Sequence, residues 1–88
     1  MNINDHLIVE AQANMVRIQG EFVEEQAKYW VLNERLQNVY DGDTNEQYED
    51  MMRQFSTLSN MNSCVSCIKS IKADIARWTQ ETKEWTAA

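Results

Sequence analysis

Cys64-Val65-Ser66-Cys67 sets two thiols three residues apart, a spacing that suits zinc binding or dithiol exchange. A zinc site needs about four ligands, and the one histidine, His6, is remote in sequence. No strand-helix-strand pattern surrounds the pair, so both read as structural thiols, with free Cys acting as a small hydrophobe. Glu21-x-x-Glu24 and Glu46-x-x-Glu49 each put two carboxylates on one helical face. Two such pairs brought together can hold Mg²⁺ against a pyrophosphate. Asp41-Gly42-Asp43-Thr44-Asn45 has the oxygen spacing that opens a calcium loop, but positions six and twelve are Glu46 and Met52 instead of Gly and Glu. That stretch reads as a solvated turn, and no metal or other cofactor is expected.

The two glutamate pairs resemble the E-x-x-E…E-x-x-D arrangement of the all-α MazG-like nucleotide pyrophosphohydrolases. The final position departs, being Glu49 with Asp50 one place later. The resemblance covers those four residues and implies Mg²⁺-dependent hydrolysis of nucleotides as one alternative function. A second alternative rests on Asp41, Asp43, Glu46, Glu49 and Asp50, five acids with no base in ten residues. Such a run can present phosphate-like charges to a basic channel, as acidic phage-type inhibitors of nucleic-acid-binding enzymes do.

The elements that carry these groups must be helical. The 88 residues contain two Gly and no Pro, too few turn formers for a β-sandwich or barrel. Hydrophobic residues at 43% and charged residues at 25% fit one globular domain spanning 1–88. Net charge is −6, which disfavours direct nucleic-acid binding. Residues 1–50 hold 11 acids and 3 bases, and residues 51–88 hold 3 acids and 5 bases, so the halves attract each other. The N-terminus lacks a basic and apolar leader pattern, and no run approaches the ~18 apolar residues of a membrane span. The expectation is a cytoplasmic chain of a bacterial or phage-infected host cell.

A seven-residue repeat fills the first forty residues. Ile8, Met15, Phe22, Tyr29 and Leu36 form an a row, and Ala11, Ile18, Glu25, Leu32 and Val39 form a d row broken by Glu25. This predicts a helix over about 4–40, capped at Asn2 or Asn4. Val9, Val16, Val23 and Trp30 occupy successive b positions, and Gln12, Gln19, Gln26 and Asn33 successive e positions. The apolar arc exceeds what one antiparallel neighbour covers. The Val/Trp row is therefore the expected oligomer interface.

Tyr40 to Thr44 predicts a turn over 41–44, with Gly42 ending the first helix and Thr44 opening a capping box with Gln47. Tyr48, Met51, Phe55 and Leu58 are spaced 3-4-3, and Met61, Cys64, Ile68, Ile71, Ile75, Trp78, Thr82 and Trp85 continue at heptad spacing. The join is two successive threes. That slip falls in Ser59-Asn60-Met61-Asn62-Ser63, poor in helix formers, and predicts helices over about 44–59 and 63–86 with a bend or break between. A hairpin turning near residue 42 pairs residue i with about 84 − i, setting Gly20 opposite Cys64 as a point of close approach.

The sequence thus predicts an all-α antiparallel helical hairpin of two or three helices that oligomerises into a bundle. The leading function is a non-catalytic protein–protein interaction module, a small accessory, assembly or inhibitory factor. Its partners are itself and an unidentified protein, with Asp41, Asp43, Glu46, Glu49, Asp50 and Trp85 as partner-binding residues.

Overall fold

A computed structural model describes residues 3–38 and 44–87. Its elements are α1, Ile3–Gln37, and α2, Thr44–Ala87, packed antiparallel as a hairpin. The described residues contain no strand. The molecule is a rod of 71 × 15 × 14 Å. A 44-residue helix is about 66 Å long at ~1.5 Å per residue, so α2 alone accounts for most of that length. Two long helices follow from a chain with almost no breakers, because a helix of this size gains its stability from a packed stripe more than from propensity.

α1 presents the predicted rows. Ala11, Ile18 and Leu32 of the d row are buried, and Ile8, Met15, Phe22, Tyr29 and Leu36 of the a row are half-buried. Glu25 sits in the d row without a gap in packing. Its carboxylate accepts hydrogen bonds from Asn60 Nδ2 at 3.2 Å across the hairpin and from Lys28 Nζ at 3.3 Å. Those bonds, the Asn60 one first, hold its carboxyl below the usual carboxylate range. α1 ends earlier than expected. Asn38 N donates to Arg35 O at 3.2 Å, a tightened last turn. The residues from Val39 to Asp43, Gly42 among them, lie outside the described residues.

Asn4 is not a cap. It is the second residue of α1, buried, and its Nδ2 donates to Trp78 O at 3.3 Å and Glu81 Oε2 at 3.2 Å. It clasps the two helices near the chain termini. The other candidate, Asn2, lies outside the described residues.

The predicted division of the second arm gives way to one helix. α2 runs unbroken through Ser59–Ser63, and no third helix starts at Asn62 or Ser63. The physical reason lies in which residues enter the seam. Counting back from Trp78 and Cys64, the inward positions are 75, 71, 68, 61, 57, 54 and 50, in strict alternation of threes and fours. Asp50, Thr57 and Cys64 are buried, and Gln54, Met61, Ile68, Ile71, Ile75 and Trp78 are half-buried. Tyr48, Met51, Phe55 and Leu58 are exposed instead. The slip in the hydrophobic pattern is therefore the point where the apolar stripe leaves the seam, and the backbone keeps its phase.

The register agrees with expectation. Cross-helix bonds join Glu25 to Asn60, Asn33 to Gln54, Arg35 to Glu46 and Asn4 to Glu81. Gly20 makes no close approach, since a Cβ built there meets nothing within 4 Å. It faces outward at an f position, on the far side of α1 from the seam.

Candidate functional site

In the seam nearest the turn, α2 contributes polar groups. Asp50 is 0% exposed. Its carboxylate is held by Arg35 Nη2 at 3.0 Å and Arg53 Nη1 at 3.3 Å. A buried carboxylate is tolerated only when paired in this way. Gln54 Nε2 donates to Asn33 Oδ1 at 3.3 Å, and Thr57 Oγ1 donates to its own helix at Gln54 O, 2.8 Å away. Among the described residues, no buried side-chain polar atom lacks a partner.

These contacts fix the sides of the rod. Labelling Thr57 and Cys64 as d positions of α2 makes Glu46, Arg53, Asn60, Cys67, Asp74 and Glu81 its g row. Arg35, a g residue of α1, pairs with Glu46 and Asp50, and Glu25 and Asn4 of α1 meet Asn60 and Glu81. One side of the hairpin is therefore a charged flank built from the two g rows. The opposite side is built from the e and b rows of both helices.

That second side carries the residues of interest. From α1 come Val9, Val16, Val23 and Trp30, each 58–65% exposed, with the amides Gln12, Gln19, Gln26 and Asn33 beside them. From α2 come Tyr48, Met51, Phe55, Leu58 and Val65, all exposed. The neighbouring bonds Glu25–Asn60 and Asn33–Gln54 put Trp30 level with Phe55, so the largest apolar groups meet at one height. Tyr29 packs edge-on to Trp30, with ring centroids 5.4 Å apart at 82°. That contact orients the indole on the surface. Of the twelve carboxylates in the two helices, only Asp5 falls in an e or b row; the α2 part of this side ends in Lys69, Lys72 and Lys83.

Sequence reasoning identified the α1 half of this face and missed the α2 half. It grouped Tyr48, Met51, Phe55 and Leu58 by their 3-4-3 spacing with the apolar stripe that continues to Trp85 and did not place them on the outer face. The discriminating signal was the unbroken three-four count back from Cys64, which selects Asp50, Gln54 and Thr57.

The acidic residues scatter. Asp41 and Asp43 lie outside the described residues. Asp50 is inside the seam, Glu46 is bound to Arg35 at 3.0 Å, and Glu49 lies 4.0 Å from Arg53. The run is therefore not a continuous strip of surface charge. The two glutamate pairs also stay apart. Glu46 is tied to Arg35, eleven residues beyond Glu24, which is about 16 Å along α1. Among the described residues, no group of three or more His, Cys, Asp or Glu is placed to hold a metal ion.

Cys64 is buried and Cys67 exposed, both as free thiols. Burial pushes the Cys64 thiol up, with Glu21, Cys67 and Glu25 adding to the effect. It does not open a helix and gains no N-terminal stabilisation; it packs in mid-helix. Trp85 sits on the seam stripe yet is 57% exposed. The register puts its level beyond the start of α1, so α2 overruns its partner there. Among the described residues, no helix is long and apolar enough to cross a membrane.

No protein family, curated protein or solved structure matches this chain.

Proposed function

We propose that the hairpin is a non-catalytic interaction module whose e/b side docks helices of other protein chains, its own copies included. One observation carries this reading: in the turn-proximal half, Tyr48, Met51, Phe55 and Leu58 of α2 point outward while Asp50, Gln54 and Thr57 fill the seam. A hairpin with no docking role gains more by burying the apolar set, because each large side chain moved out of water contributes about 1.5–3 kcal/mol. Contiguous exposed apolar surface rimmed by polar groups marks an interaction site. Such a surface is compatible with the accessory, assembly or inhibitory role expected from the sequence, and oligomerisation through Val9, Val16, Val23 and Trp30 is the use proposed first.

The test uses Val23→Asp. Val23 is 61% exposed, so the change leaves the hairpin folded. The expected outcome is an unchanged circular dichroism spectrum together with loss of association, read both as self-association by light scattering and as co-purification from lysate. Equal association by the two proteins would discard this reading.

A further inference from the structure

We infer that the occupant of the e/b face is a second copy of the chain, with the two hairpins lying antiparallel along their long axes to form a four-helix bundle. This rests on the docking role proposed above and names the partner.

Area supports it first. The chain exposes 6532 Å². A folded monomer of 10.3 kDa exposes about 5,400 Å² by the usual mass scaling. The excess of about 1,100 Å² per chain exceeds the ~800 Å² that each partner buries in a standard interface. A single rod of two helices leaves too much of its a rows half-covered, and a second rod on the same side covers them.

The face is also self-complementary. Gln12, Gln19, Gln26 and Asn33 each carry a donor and an acceptor, so the same row on a mate can pair with it. A charged row would repel itself. Of the described carboxylates, Asp5 alone lies on this face; Asp50 and Glu25 are paired within the seam, and the others stay on the outer sides of such a bundle.

Charge along the rod sets the direction. The described residues nearest the turn, 34–38 and 44–53, hold four acids and two bases, net −2. The other end, residues 3–17 with 69–87, holds five acids and five bases and is neutral. Parallel hairpins would stack two net-acidic ends together. Antiparallel hairpins set each acidic end against the neutral one, where Lys69 and Lys72 lie on the docking face. In that arrangement the Val9–Trp30 row runs against its own copy.

Sedimentation equilibrium supplies the first arm of the test. Wild type should sediment at twice the chain mass, and Val23→Glu combined with Phe55→Glu should give a helical monomer. Val31→Glu, equally exposed but at a c position off the face, should remain dimeric. A monomeric wild type that still loses co-purifying proteins on Val23→Asp would overturn the second copy while leaving the docking role standing. A dimer indifferent to Val23 and Phe55 would overturn both. The second arm is a spin-label distance from Asn45→Cys in a Cys67→Ser background. Antiparallel packing separates the two labels by at least about 40 Å, given ~1.5 Å per residue to the bundle midpoint. A separation under about 30 Å means abutting turns and overturns the antiparallel assignment.

Discussion

The two ends of this rod obey opposite rules. Near the termini α2 is conventional: Ile68, Ile71, Ile75 and Trp78 line the seam, and Lys69, Lys72, Arg77 and Lys83 face water. Arg77 even lies over the Trp78 ring, 5.6 Å from its centroid, screening the indole's edge of the seam. Near the turn, the seam holds Asp50, Gln54 and Thr57 and the outside holds Tyr48, Met51, Met52 and Phe55. The same continuous helix thus switches from apolar-in to apolar-out around Leu58–Met61. The contrast separates two tasks. The terminal half supplies the apolar part of the seam from α2, while near the turn the apolar seam residues, Tyr29, Leu32 and Leu36, come from α1. The turn-proximal half specifies register through paired polar groups and keeps its apolar groups available.

The sharpest way to break the contrast is truncation. Ile18→Ala removes a buried d residue and is expected to destabilise the hairpin by about 3 kcal/mol in urea unfolding. Phe55→Ala, read in a Val23→Asp background that removes association, should stay within about 0.5 kcal/mol of its parent. Similar losses at the two sites would mean that Phe55 belongs to the core after all. Next in size is Asp50→Ala, which leaves Arg35 and Arg53 without their shared partner. About 2–3 kcal/mol of destabilisation is expected, moderated because both arginines reach solvent. A neutral result would show that the polar seam does not set the register.

The smallest effect is on pH. Glu25 titrates below the ordinary carboxylate range in the folded chain. Its contribution is therefore complete above the unfolded-state value and lost as pH falls through the lowered folded one. Wild type should lose more of its urea midpoint between about pH 5 and 3 than Asn60→Ala, which lacks the largest cause of the shift. Parallel acid profiles would remove Glu25–Asn60 as a register bond.

Much of this was legible in the sequence, and the unread part has one cause. The α1 rows, the seam from Cys64 to Trp78 and the exposed Val/Trp row all follow from apolar residues at heptad spacing, whereas the turn residues 41–43 lie outside the described residues. What did not follow was a seam made of Asp50, Gln54 and Thr57. Hydrophobic periodicity has no term for a carboxylate that is buried because two guanidiniums on its own and the facing helix neutralise it. Once the register is known, the partners can be read: Arg35 near Asp50, Asn33 near Gln54, Glu25 near Asn60. The exposure of Trp85 was hidden for a different reason, since it depends on where α1 begins and not on the spacing within α2.

The uninterrupted course of α2 has a mechanical consequence. As one helix from Thr44 to Ala87, α2 spans about 66 Å. The exposed aromatic groups near the turn and the exposed Trp85 are thus set at opposite ends of one continuous helix. Inserting one residue at Ser66 would turn everything beyond it by about 100° and carry Ile68, Ile71, Ile75 and Trp78 out of the seam.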